Sequence, residues 1–467
     1  MADQEAAPSA QTWTHRWTFV LAAAGSAIGL GNLWKFPYIT GINGGGAFVL
    51  VYLVCIALVG IPIMMAETAL GRHGRHSPIN SMRELARESG ASRWWGMVGW
   101  MGAFTGFLIL SFYSVVAGWA IAYTLEMFAG VFQGMTPAEV GGNFESLLGD
   151  PVKLTIWHTV FMVMTGVVIA RGIHKGLESS VRIMMPALFV LLLAVLGYSV
   201  VESGHFMEGV NFMFAFNPED LSWDAVLAAM GHAFFTLSLG MCTIMAYGAY
   251  MPKKASISRT VGSVVVLDTF IALVAGLAIF PLVFANNMEP GGGPGLLFVT
   301  LTSAFANLPG GQIFGGIFFL LVVLAALSSS ISLVEPTVAW VIERFPVSRA
   351  AATSVYCALV WLFGLGTVLS FNEWSGESAQ IFGMTFFEFI DYLTANITLP
   401  LGGLLIAVFA GWTMKRSYIY KELNLSLGAF NLWRAMCRVI APICVVVIFY
   451  FSTIEEPLME LLGMAGQ

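Results

Sequence analysis

Long apolar runs separated by short polar segments organise the whole chain. At about 20 apolar residues per membrane crossing, they predict eleven helices, near 17–40, 46–71, 95–130, 153–170, 178–202, 223–249, 260–287, 312–343, 350–371, 386–413 and 431–454. Several are long enough to tilt or to project beyond the bilayer. The polar segments carry the orientation signal. If the chain starts inside, the inner segments 72–93, 171–182, 253–259, 344–349 and 415–438, with Arg16, hold nineteen of the 21 Lys and Arg, as the positive-inside rule requires. Only Lys35 and Lys153 fall elsewhere, while the outer segments are acidic, with Glu139, Glu145, Asp150 and Glu208 among them. The predicted layout is a cytoplasmic tail over 1–14, a membrane domain over 15–454 and an outer tail over 455–467. Within that domain helices 1–5 cover about 17–202, helices 6–10 about 223–413 and helix 11 about 431–454.

Composition agrees with this layout. Hydrophobic residues make up 58% and charged residues 10%, against roughly 25% charged in soluble domains. The expected fold class is an all-α polytopic membrane protein set in a lipid bilayer, with no soluble domain and no nucleic-acid partner. Met1 to Thr14 lacks the charged and apolar regions of a signal peptide. The five cysteines lie in apolar runs without metal-ligand spacing and read as reduced packing residues. The Gly/Pro-bounded stretch 286–311 has an apolar middle, consistent with a loop packed back as a lid or with a short interfacial helix.

Two apolar runs are interrupted in ways a bilayer punishes. Gly25 to Pro37, GSAIGLGNLWKFP, carries three glycines, a serine, an asparagine and a lysine. An unwound stretch survives in hydrocarbon only when buried in protein or lining a cavity, although small residues also serve close helix packing. His232 to Cys242, HAFFTLSLGMC, interrupts the sixth run at Thr236, Ser238 and Gly240. The two breaks open two groups of five helices, and five is odd, so the groups have opposite topology. That is the sequence mark of an inverted-repeat transporter with a midplane site, where half-helix N-termini meet anions and unwound carbonyls meet cations. Neither break supplies a cage of His or Cys, which leaves a hard alkali cation as the natural guest. Ser328, Ser329 and Ser330 in the eighth run either bond back to their own helix or point hydroxyls into the same cavity.

GSAIGLGNLWKFP, NGGGAF at Asn43 to Phe48, FFTLSLG at Phe234 to Gly240 and SSSISLVEP at Ser328 to Pro336 resemble the neurotransmitter:sodium symporter family, on its bacterial amino-acid-transporter side. The resemblance implies two sodium sites. One would use Ala27, Asn32, Thr236 and Asp268; the other would use Gly25, Ile28, Ala325, Ser328 and Ser329. It implies a substrate pocket in which a carboxylate meets Leu30, Gly31 and Tyr113, and an ammonium meets carbonyls near Ala27, Phe235, Thr236 and Ser238. The substrate side chain would face Ser26, Ile109, Ser238, Met241, Ser329 and Leu333. It further implies gates at Tyr113 and Phe235, at Lys35 with Asp391, and at Trp13 with Glu343. Gly29 stands where monoamine transporters carry an aspartate, which favours a substrate with its own carboxylate.

Three departures matter. Lys35 replaces the outer gate arginine of many relatives, exchanging a bidentate fork for a point charge. The inner gate arginine falls on Ala10, leaving Arg16 as a substitute or the gate without an ion pair. The chloride ligands of chloride-requiring relatives fall on Tyr52, His232, Ala272 and Asp268. A carboxylate there repels an anion, so the expectation is chloride-independent transport, with Asp268 paired to His232 or His232 a satisfied core residue. Gly176 and Pro186 enclose a spacing that either opens the fifth helix toward the cytoplasm or only kinks it. The resulting expectation is a bacterial cytoplasmic-membrane symporter, N-terminus inside and C-terminus outside, coupling two sodium ions to a small zwitterion. An apolar or aromatic amino acid is preferred, with an ω-amino acid or osmolyte such as taurine or GABA as the alternative and an ion channel less favoured. The chain shows no paired nucleophile and base, so no enzyme activity is expected.

Overall fold

The structure is a computed structural model that describes residues 13, 16–288 and 295–451, without the side chains of Arg16 and Asp220. Both expected tails, Ala10 and the Arg16 side chain therefore lie outside the described residues. Within them the chain is helical, apart from one isolated bridge between Ile381 and Met384. Among the described residues nine helices are long and apolar enough to cross a membrane. They are α2 (Gly46–Gly74), α3 (Arg93–Phe128), α4 (Pro151–Ala170), α5 (Ile173–Glu202), α7 (Ile257–Ala285), α8 (Gly311–Arg344), α9 (Arg349–Ser370), α10 (Phe386–Thr413) and α11 (Leu427–Phe449). A bent pair, α1 (Arg16–Ala27 and Gly31–Ile42), makes ten if taken as one span. The remaining expected crossing is α6, split into Trp223–Thr236 and Thr243–Ala249, each too short alone. Eleven spans are thus nine or ten by length and composition, because the sixth is broken into pieces.

Local chemistry sets several helix starts. Thr136 and Glu139 form a capping box on the outer helix Pro137–Leu148, while Asp150 caps α4 and Ser222 caps α6 through side-chain oxygens. Each satisfies backbone N–H groups that the first turn leaves unpaired. The apolar middle of 286–311 forms a helical stretch, Leu296–Asn307. Phe298 of that stretch stacks on Phe144 at 5.3 Å and on Phe319 of α8 at 5.7 Å, so this loop packs back onto the bundle.

The architecture is layered around α3 and α8. In each, 83% of the most apolar window lies inside the protein, against 28% for α11. α1 and α6 lie against this pair, and their breaks face one another: Ser238 Oγ donates to the Ser26 carbonyl at 2.8 Å. The α5 segment with Gly176 and Pro186 is closed here, helical from Ile173 to Glu202 with a widened turn over Ile173–Glu178.

Candidate functional site

The halves of α1 meet at 51°. Beyond the bond from Ile28 N–H to the Ala24 carbonyl, 2.6 Å, the backbone donors turn elsewhere. Gly29 N–H donates to Asn32 Oδ1 at 3.0 Å and Leu30 N–H to the Tyr113 hydroxyl at 3.2 Å. At the α6 break Ser238 (φ 53°), Gly240 (φ 82°) and Cys242 (φ 61°) all adopt left-handed backbone, a cost that proteins concentrate at functional sites. A Cβ on Gly240 would run into the Leu399 carbonyl of α10, and its N–H donates to Glu67 Oε1 at 2.8 Å.

Between the breaks lies a cavity of about 30 Å³. It is lined by every residue expected to face a substrate except Leu30 and Thr236, together with Gly29 and Ser332. Room for a water is all this volume gives, too little for an apolar or aromatic amino-acid side chain. The reason is a hydroxyl chain across the wall: Ser26 Oγ donates to Ser332 Oγ at 2.8 Å, and Ser329 Oγ to the carbonyls of Ser26 and Ile28 at 3.2 and 3.3 Å. The walls must part for any larger guest. Leu30 presents its backbone to Tyr113, and Thr236 turns its hydroxyl away from the cavity to Asp268.

Two clusters of hard oxygens flank the cavity. In one, Asp268, fully buried, accepts from Asn32 Nδ2 at 2.8 Å and from Thr236 Oγ1 at 3.2 Å. In the other, Ser328 Oγ reaches the Ala325 and Ile28 carbonyls at 2.9 and 3.5 Å, while Ser329 Oγ reaches the Gly25 carbonyl at 3.3 Å. Carbonyl, hydroxyl and carboxylate oxygens suit an alkali cation. Among the described residues no group of three or more His, Cys, Asp or Glu converges on one point.

The pairing of His232 with Asp268 is not formed. His232 packs at 5.3 Å from Tyr52 and 5.9 Å from Phe36, and both its ring nitrogens are buried without a hydrogen-bond partner. It is therefore not the satisfied core histidine of the other expectation either.

At the expected outer gate Lys35 Nζ lies 2.9 Å from Asp391 Oδ1 and 4.4 Å from the centre of the Phe235 ring, so ion pair and aromatic ring form one stack. The two residues expected at the inner gate part company. Trp13 joins the end of α6, with N–H groups on the Tyr250 and Tyr247 carbonyls at 3.0 and 3.2 Å. Glu343 instead accepts from the Ser77 backbone and hydroxyl at 2.7 and 2.6 Å and from Asn80 at 2.7 Å. His76, 3.8 Å from the same carboxylate, has its pKa raised by that contact.

Sequence reasoning missed the ion pair beside Trp13. Glu335 of α8, fully buried, accepts from the Tyr250 hydroxyl at 2.8 Å and pairs with Arg349. Arg349 also donates to the Ile169 carbonyl of α4 at 3.0 Å. The available signal was an acid in the middle of an apolar run, which a membrane tolerates only when paired. Ser332 was missed too, although it follows Ser329 by three residues on one helix face.

An all-helical membrane bundle with two apposed broken helices and a closed central cavity defines a multi-pass membrane transporter. The sequence matches the sodium:neurotransmitter symporter family over residues 10–135 and 144–461. The uncharacterized sodium-dependent transporter YhdH of Bacillus subtilis (strain 168) is 37% identical, covering 94% of this chain and 96% of its own. The sodium- and chloride-dependent GABA transporter 2 of Rattus norvegicus is 24% identical over 90% of this chain and 75% of its own. The crystal structure of MhsT in complex with L-phenylalanine superposes with a TM-score of 0.87 at 41% identity, covering 95% of this chain and 99% of that one. The chain belongs to the sodium:neurotransmitter symporter family. It is a sodium-dependent transporter, not an enzyme.

Proposed function

We propose that the protein imports a zwitterionic amino acid with an apolar or aromatic side chain, coupled to inward movement of sodium. The observation that carries this reading is the cavity at the junction of the two broken helices, flanked by two oxygen clusters. Ions and amino acid are all cargo. The carbonyls of Ala27 and Thr236, the Thr236 hydroxyl, the Asn32 amide and Asp268 take one sodium. The Gly25, Ile28 and Ala325 carbonyls with the Ser328 and Ser329 hydroxyls take the other. The substrate carboxylate sits on the first sodium, the Leu30 and Gly31 N–H groups and the Tyr113 hydroxyl. Its ammonium meets carbonyls near Ala27, Phe235 and Thr236. Because the carboxylate and the first sodium bind each other, each raises the affinity of the other, and that reciprocity is the coupling. The L-phenylalanine bound by the 41% identical MhsT supports an aromatic or apolar side chain.

Phe235, Tyr113 and the Lys35–Asp391 pair close the outer path. Trp13, Tyr250, Glu335 and Arg349 close the inner one, with Glu343 fastening α8 to the Ser77 turn. Transport alternates between the two closures as one helix group rocks against the other. Asp268 supplies the negative charge that chloride supplies elsewhere in the family, so chloride is not required. The distribution of Lys and Arg favours an N-terminus inside, and the similarity to YhdH of Bacillus subtilis favours the cytoplasmic membrane of a bacterium.

Thermal unfolding of the purified protein against a panel of amino acids, taurine and GABA tests the assignment. A ligand at a hundredfold excess over its Kd adds about 2.7 kcal/mol of stability. Phenylalanine or leucine should raise Tm in sodium chloride and sodium gluconate but not in potassium chloride. Stabilisation by taurine or GABA alone overturns the substrate class. A shift that requires chloride overturns the role of Asp268, whereas Asp268→Asn should bring chloride dependence with it.

A further inference from the structure

We propose that the inner end of α3 is a binding site for an anionic phospholipid, separate from the transport site. Two adjoining pockets meet there. One, of about 590 Å³, is lined by Arg83, Arg87 and Arg93 with Trp94, Gly96 and Met97. The other, of about 820 Å³, shares Trp94 and Met97 and continues over Trp95, Trp100, Phe104 and Leu405. A basic cup thus opens directly into an apolar trough, which matches a molecule with a phosphate at one end and hydrocarbon at the other.

Two of the three charges are available for a ligand. Arg87 pairs with Glu84, three residues away on the same exposed face. Arg83 and Arg93 have no carboxylate partner among the described residues. A Cβ on Gly96 would lie 2.6 Å from Arg83 Cγ and 3.1 Å from its Nε, so the arginine side chain rests on the bare glycine backbone at the wall of the cup. The trough is built rather than incidental. Trp95 meets the edge of Phe409 at 5.1 Å and Trp100 the edge of Trp340 at 4.5 Å. The Ser92 hydroxyl accepts from the Trp94 N–H at 3.3 Å, fixing the turn that presents the indole. Trp94 and Phe104 remain 78% and 55% exposed. Tryptophan belts mark the headgroup level of a bilayer, and basic pockets between spans at that level bind acidic headgroups. The phosphodiester therefore lies among Arg83, Arg87 and Arg93, and one acyl chain runs along Trp94, Met97 and Phe104 toward the bilayer centre.

Native mass spectrometry of the full-length protein released from detergent, with added phosphatidylglycerol or phosphatidylcholine of matched chains, provides the test. The wild type should retain phosphatidylglycerol and not phosphatidylcholine, and excess glycerol phosphate should not displace it. Arg83→Gln/Arg93→Gln should lower retention by about tenfold or more, given the contribution of each basic side chain near a charged membrane surface. Trp94→Ala, which keeps every charge, should lower it as well, while Lys253→Gln/Lys254→Gln should not. Equal retention of both lipids, an effect of the lysine pair as large as that of the arginine pair, or displacement by glycerol phosphate overturns the proposal. So does a dimer that Trp94→Ala dissolves, which would give the trough to a second copy of the chain.

Discussion

Gly29 decides how closely three elements meet. A Cβ there would run into Ser329 Oγ and lie 2.8 Å from the Tyr113 hydroxyl. Those two oxygens belong to the cavity wall and to the hydroxyl that engages the α1 break, so the added methyl pushes apart groups the proposed substrate needs together. Overpacking of this kind costs about 1–3 kcal/mol. Gly29→Ala should weaken substrate-dependent stabilisation by about tenfold in apparent Kd, and unaltered affinity would count against the placement of the substrate. Such residues were legible in the sequence because each is small or polar inside a run that hydrophobicity alone would fill. Asn32 and Thr236 stood out for the same reason, Asp268 entered only through the family resemblance, and the three meet. His232 was harder. It lies one turn before Thr236 on α6, but α1 and α2 fill the space around it with Phe36 and Tyr52, a neighbourhood no spacing along one helix reveals.

At the scale of elements, the contacts proposed to close the inner side are polar and cross between helices. Glu335 and Arg349 flank the turn between α8 and α9, and Tyr250 reaches them from the end of α6. Arg349 had been counted only as one more positive charge of an inner loop. Fourteen residues separate it from Glu335, and only folding shows that the acid, inside α8, is paired by a base outside it. Removing one member of a buried pair costs about 3–5 kcal/mol because the other charge is stranded. Arg349→Gln should therefore loosen the inner closure. Cys242, buried against Val98 of α3, is a native reporter of that seam once the other four cysteines are replaced by serine. Its labelling from the inner side in sodium should rise by about tenfold or more, the change that 1.4 kcal/mol produces; an unchanged rate would remove Arg349 from the gate. The expected opening of α5 at Gly176 and Pro186 belongs at this scale too. The segment is wound here, and sequence shows only where a helix is able to open, not when.

For the whole molecule, the proposed reading makes the stack of Lys35, Asp391 and Phe235 an outer closure and the chain of contacts from Trp13 to Arg349 an inner one, with the small cavity between them. Both closures at once are what a carrier needs between its two open forms, and what an open pore does not have. The bundle itself was legible from eleven apolar runs, whereas the split of α6 into two short helices was visible only as a polar interruption. The central claim is coupling, and uptake of labelled L-phenylalanine into proteoliposomes tests it most directly. With sodium outside, uptake should saturate, exceed equilibration, persist when gluconate replaces chloride and vanish when potassium replaces sodium. Uptake that is equal in potassium, or that rises without saturation, would contradict the account.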